Sequence, residues 1–208
     1  MSQSPNLITL SVRDFLAATA AKQPTPGGGS VAALAGALAA SLAAMALEYT
    51  VGKKAALAHD AELRTALARL QHASALFQEL IAEDIAAYAA LSPLLKLSPE
   101  ERSKNTDYLP TVLAAIRAPE SVGGLAMNVL ELCSALESKT SKFLITDLAI
   151  AATYAHATVH AAEFNTLINL PLLPDPAESA TLKQAASTLS AKADNVYAAL
   201  RARILATL

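Results

Sequence analysis

The alternation of apolar and polar positions reads as a series of helices separated by short polar or proline-rich breaks. Ser11 followed by Asp14 predicts an N-cap with an acidic first turn, opening a short helix to about residue 22. The segment Pro24-Thr25-Pro26-Gly27-Gly28-Gly29-Ser30 breaks it. From Ser30 to Leu47 the chain carries no charge, and this run predicts a long helix reaching to about residue 56. A second long helix is expected from about residue 60 to about residue 91, ended by Ser92-Pro93. Ser98-Pro99-Glu100-Glu101 has a capping Ser, a first-turn Pro and a capping-box Glu, which together mark a helix start. Pro110 and Pro119 predict two or three shorter helices up to about residue 136. A long helix over about residues 141–169, a Pro-Leu-Leu-Pro-Asp-Pro linker and a last helix from Ala177 complete the series. Long helices on short connections predict an all-α fold, an up-and-down bundle, and 208 residues suit a single domain spanning 1–208.

Composition sharpens this picture. The chain holds 48 alanines and 34 leucines but only 4% aromatic residues and no Trp, a balance that favours helix over sheet. With 53% hydrophobic and 16% charged residues it has ample surface to bury, which excludes disorder. The uncharged stretch approaches the length of a bilayer span, yet Ala, Gly and Ser dominate it and its Ser30 end has no aromatic belt. A helix buried in a bundle is therefore expected, with no membrane partner. Within it Ala32, Gly36 and Ala40 recur at four-residue spacing, a ridge for a neighbouring helix or a second subunit, and a homodimer with this helix in its interface is expected. Sixteen basic against eighteen acidic residues leave no excess to neutralise phosphates, so nucleic acid is excluded as a partner. Cys133 is the only cysteine, and the start Met-Ser-Gln-Ser-Pro-Asn-Leu-Ile-Thr-Leu lacks the basic and apolar regions of a signal peptide; both point to the cytoplasm.

Several groups of residues could carry chemistry. The glycines after Pro26 would let the backbone adopt positive φ and approach a ligand, and the helix N-terminus behind Gly27, Gly28, Gly29 and Ser30 could grip an anion. Equally, the segment could be a tight turn between packed helices; a nucleotide loop is excluded because Gly-Ser-Val stands where Gly-Lys-Ser/Thr is required. On the helix after residue 141, Asp147, Tyr154, Thr158 and Asn165 fall within about 20° of one line and Asn169 follows one turn later, a polar stripe expected to face the interior and to need partners there. His156, His160 and Glu163 share the opposite face at a spacing that could hold a divalent ion, though no further ligand is evident and no metal is expected. Asp84 with Tyr88 lies on the second long helix. Lys53 follows Gly52 near the far end of the glycine-loop helix, roughly 35 Å from Ser30, so only an antiparallel dimer could bring the two together. Cys133, in an apolar helix, reads as a buried inert thiol, and His59 and His72 as surface residues.

The stretch from Phe15 to Lys54, centred on Pro-Thr-Pro-Gly-Gly-Gly-Ser, resembles the hallmark region of the cyclodeaminase/cyclohydrolase family. That family includes the deaminase part of formiminotransferase-cyclodeaminase and stand-alone methenyltetrahydrofolate cyclohydrolases. The resemblance continues through Glu-Asp-Ile-Ala-Ala-Tyr around Asp84, Thr-Asp-Leu-Ala-Ile-Ala-Ala around Asp147, and Glu-Phe-Asn-Thr-Leu-Ile-Asn-Leu around Asn165 and Asn169. It implies an all-helical fold, a dimer or larger assembly, and folate one-carbon chemistry with no cofactor beyond the tetrahydrofolate substrate. One departure stands out: where the family commonly has Gly-Asn before the matching Asp, this chain has Thr140-Ser141.

Cyclodeamination and cyclohydrolysis both pass through a tetrahedral carbon and need proton transfer, work suited to a carboxylate. The resemblance makes Asp147 the first catalytic candidate and Asp84 the second. Asn165 and Asn169 would hold the pterin, and the Pro26–Ser30 loop or Lys53 would receive the glutamate tail. The alternative is a helical folate-binding or assembly module that lost catalysis, which Thr140-Ser141 would favour.

Overall fold

A computed structural model describes residues 7–208, which contain seven α-helices and no strand. They are α1 (Val12–Ala20), α2 (Gly28–Glu48), α3 (Asp60–Leu94), α4 (Pro99–Lys104), α5 (Tyr108–Leu136), α6 (Ile145–Leu167) and α7 (Pro176–Leu205). The all-α expectation holds; residues 1–6, on which the reading of the N-terminus partly rests, lie outside the described residues. Three helix starts follow from local chemistry. Ser11 Oγ accepts from the Asp14 N–H at 3.1 Å, Ser98 and Glu101 form a full capping box, and Asp175 Oδ1 accepts from the Ala177 N–H at 2.8 Å.

Helices α2, α3, α5 and α6 close into an up-and-down ring, each packed on its neighbours in sequence, with α6 returning to α2. Antiparallel pairing of α2 and α3 is visible in Ser41 Oγ lying 2.8 Å from Ser74 Oγ, while Gln71 Nε2 donates to Glu48 Oε1 at 3.0 Å. Helix α7 lies outside the ring against α6 and α5.

Two expected boundaries change. Helix α2 stops at Glu48 rather than near residue 56, because Thr50 Oγ1 turns back to donate to the Ala46 carbonyl and Gly52, at φ 71°, reverses the chain. Lys53 therefore stands beyond the helix, in an extended conformation. Prolines 110 and 119 do not divide the next segment: α5 is one helix of 29 residues. Pro110 sits in the first turn, where no N–H is needed. Pro119 cannot donate to the Ala115 carbonyl, and the side chain of Asn169, just past the end of α6, supplies that bond instead, Nδ2 donating at 3.0 Å.

Helix α2 contributes mainly small residues to the core. In α2, Ala32, Ala33, Ala37, Ala39, Ala40, Ala43, Ala44 and Ala46 are all buried. The ridge at Ala32, Gly36 and Ala40 is filled from within the chain rather than by a second subunit: a Cβ on Gly36 would lie 2.4 Å from Phe77 Cε1 of α3. Helix α2 has the length and apolarity of a membrane span, but 61% of that stretch is buried inside the bundle, as befits a core helix.

Candidate active site

The glycine loop enters α2 through a cis Thr25–Pro26 bond, with Pro26 buried and Gly27 as the N-cap in extended conformation. None of Gly27, Gly28 and Gly29 has positive φ, which corrects the expectation that they are there for backbone freedom. At Gly28 and Gly29 a side chain has little or no room. A Cβ on Gly29 would lie 2.0 Å from Asp84 Oδ1, and one on Gly28 would lie 3.1 Å from Asn165 Oδ1.

Asp84 thus comes from α3 onto the N-terminus of α2. The fully buried Ser30 donates its hydroxyl to Asp84 Oδ2 at 3.0 Å, and its backbone N–H donates to the same carboxylate. The N-terminus expected to grip a ligand anion already has one, supplied by the protein. Burial pushes the Asp84 carboxyl above its ordinary value, while the two bonds from Ser30 pull the other way without cancelling it. The result is a carboxylate held in place, partly desolvated and ready to exchange a proton.

Asn165 of α6 and Ala118 of α5 share the narrow gap in front of Asp84 and Gly29. Ala118 also lines a cleft of about 640 Å³ between α3 and α5, with Glu83, Asp107 and Arg117 on its walls. Asn169 is one turn beyond Asn165, and its Nδ2 donates both to Ala115 O and to Asn165 O, so its amide hydrogens serve the framework. Tyr88 is exposed one turn along α3.

The remaining candidates gather at the other end of the bundle. Asp147 lies in the first turn of α6, half-buried, about 27 Å along the helix from Asn165. Nearby, the Ser141 N–H donates to Thr50 Oγ1 at 3.1 Å and Thr140 Oγ1 donates to Leu136 O at 2.8 Å, so Thr140-Ser141 joins α2 to the start of α6. Lys53 is exposed just past Thr50. Within one chain, Pro26, Gly27, Gly28, Gly29, Ser30, Asp84 and Asn165 come together; Lys53 and Asp147 do not join them. The stripe on α6 is interior only in part. Tyr154 is 46% exposed, and the buried Thr158 hydroxyl satisfies itself by donating to Tyr154 O, so no buried network forms.

Cys133 is buried, its thiol pushed up to about 12 by desolvation, as expected of an inert residue. Among the described residues, the metal-ligating side chains that converge are His156, His160 and Asp194, on the α7 side of α6. Sequence reasoning had the two histidines but missed Asp194 and Arg117. Both depend on which helices pack together, and no spacing along the chain signals them.

Residues 11–188 match the family model of formiminotransferase-cyclodeaminase. The chain belongs to that family. It is 33% identical over 180 residues to formimidoyltransferase-cyclodeaminase of Rattus norvegicus, covering 82% of this chain and 32% of the relative. It therefore spans about a third of that longer protein. It is 29% identical over 171 residues to methenyltetrahydrofolate cyclohydrolase of Methylorubrum extorquens, covering 80% of this chain and 82% of that one. The crystal structure of formiminotetrahydrofolate cyclodeaminase from Thermotoga maritima superimposes with a TM-score of 0.80 over 95% of both chains, at 24% identity, which establishes the shared fold. In this family member the last of the hallmark glycines, Gly29, is the residue that lets Asp84 reach Ser30.

Proposed function

We propose that this member of the formiminotransferase-cyclodeaminase family is a tetrahydrofolate one-carbon enzyme. Its reaction is cyclodeamination of 5-formiminotetrahydrofolate, hydrolysis of 5,10-methenyltetrahydrofolate to 10-formyltetrahydrofolate, or both, in the cytoplasm and with no cofactor beyond the folate. The observation that carries this reading is the Asp84 carboxylate, half-buried and oriented by Ser30 beside a gap that also holds the Asn165 amide.

In cyclodeamination, N10 attacks the formimino carbon, the tetrahedral carbon expels ammonia, and a cationic methenyl bridge remains. In cyclohydrolysis, water adds to that bridge and gives up a proton, and the bond from carbon to N5 breaks as N5 is protonated. Asp84 suits both, since its ionised form offsets the charge on the amidinium carbon and its raised carboxyl range favours taking and returning a proton. Asn165 provides amide bonds for the pterin, with Asn169 holding the backbone behind it. Arg117 in the adjoining cleft suits a carboxylate of the glutamate tail.

Assembly as an antiparallel homodimer accounts for the candidates at the far end. Val31 and Leu38 of α2 and Tyr49 at its C-cap are exposed along one line, and Ile150, Tyr154 and Phe164 of α6 with Ile168 at its C-cap form another. Pairing this apolar face with a second copy in antiparallel orientation sets the partner's Asp147 and Lys53 beside the glycine loop, adding a second carboxylate and a cation for the tail.

Incubating the purified protein with 5,10-methenyltetrahydrofolate, and separately with 5-formiminotetrahydrofolate, tests the proposal by the ultraviolet absorbance of the methenyl bridge. Loss of the band in the first case or its appearance in the second is expected. Tight folate binding with no change in either case would instead establish the binding-module reading that Thr140-Ser141 favours.

A further inference from the structure

On the side of α6 turned away from Asp84, three ligand atoms converge between α6 and α7. His156 Nε2 lies 2.7 Å and His160 Nε2 lies 2.9 Å from one oxygen, Asp194 Oδ1, and the two Nε2 atoms are 3.2 Å apart. We infer that this triangle is one face of a tetrahedral site for a divalent transition-metal cation, zinc foremost, with the fourth position open to water. Bonds of about 2.0–2.1 Å in tetrahedral geometry put neighbouring ligand atoms about 3.3–3.4 Å apart, so the two nitrogens are already close to the required spacing and Asp194 Oδ1 must move out by about half an ångström. Asp194, whose side chain is 57% exposed, is free to make that adjustment.

The surroundings hold the ligands in this arrangement. The His156 ring stacks on Tyr197 at 4.6 Å, and the Tyr197 hydroxyl is 3.0 Å from Thr153 Oγ1. Glu163 Oε2 lies 3.8 Å from His160 Nδ1, where a carboxylate favours the proton on Nδ1 and leaves Nε2 for a cation. Two imidazoles and one carboxylate suit zinc, cobalt or nickel; magnesium and calcium prefer all-oxygen sets. The site stands apart from the proposed folate chemistry, and Asp194 lies beyond residues 11–188, the stretch that matches the family model. Its effect is to tie α7, which fully buries only Ser190, Ala193, Leu200 and Ile204, to α6.

The test is titration of chelator-treated, dialysed protein with Zn²⁺ against a chromophoric chelator, and with Co²⁺ followed by its visible absorption. One equivalent should bind with Kd below about 10 µM, and Co²⁺ should give the intense bands of a tetrahedral site. His160→Ala and Asp194→Asn should each weaken binding at least about tenfold, and Glu163→Gln by about tenfold as the loss of an outer partner. Amides of α7 around Asp194 should exchange more slowly with Zn²⁺ in the parent protein and not in His156→Ala, whose helical circular dichroism should be retained. Weaker binding than this, or binding that Asp194→Asn leaves unchanged, would overturn the site and leave only adventitious chelation by two helical histidines. None of these readouts depends on folate turnover.

Discussion

Asp84 shows at the level of one residue how stability and function are set against each other. Its carboxyl is pushed above the ordinary 3.8 by burial, so the folded state prefers the protonated form. Below 3.8 the group is protonated folded or unfolded and costs nothing; as pH rises through the raised folded value, ionisation works against burial and stability is lost. At neutral pH the charge is therefore a liability to the fold that the chemistry uses. Asp84→Asn should lower kcat by about 10²–10⁴ while Tm at pH 7 does not fall, and the acid limb of kcat/KM in the parent enzyme should lie above pH 3.8. Asn169 has the opposite character. It serves the carbonyl that Pro119 leaves without a donor, so Asn169→Ala should cost about 1–3 kcal/mol of unfolding free energy, read by urea denaturation.

Among the elements, Gly36 is the position in the middle of α2 where a side chain would run into α3. Gly36→Ala would place a methyl 2.4 Å from the Phe77 ring and should destabilise the protein by about 1–3 kcal/mol, with Phe77→Leu in the same chain recovering part of the loss. Three helices were legible because their starts are written locally: Ser11, Ser98 and Asp175 cap with their own side chains. What was not legible depends on tertiary partners. A proline inside α5 reads as a break until Asn169, fifty residues later, is seen to serve the freed carbonyl. The α6 stripe reads as interior by periodicity, but the side of a helix that meets its neighbours is decided by packing, and Tyr154 lies on the outer seam. The glycine loop was legible as a special segment and not as to its reason, since the close approach of Asp84 is a contact between helices.

For the whole molecule, the two groups of candidate residues at opposite ends of one bundle make a specific claim about assembly. Leu38→Lys or Ile150→Lys on the exposed apolar face should shift the protein from dimer to monomer in sedimentation at micromolar concentration, with loss of turnover. Asp147→Asn should lower turnover about as much as Asp84→Asn does, while His156→Ala, on the far side of α6, leaves it nearly unchanged. If each site takes Asp84 from one copy and Asp147 from the other, a mixed dimer of the two variants has one intact site. Equal mixtures re-equilibrated from monomers should then recover about a quarter of parental activity, whereas sites contained within one chain would recover none.

The alanine-built interior of α2 has a thermodynamic consequence as well. A buried leucine or methionine must surrender rotamers when the chain folds, and in the native state it can still exchange among those that remain; alanine has none to lose and none to exchange. The eight buried alanines of α2 therefore bring in no side-chain entropy cost and leave no alternative packings of their own. Where these alanines meet the neighbouring helices, the backbone that presents Ser30 to Asp84 is located by close helix-to-helix contact rather than by the rotamers of long side chains.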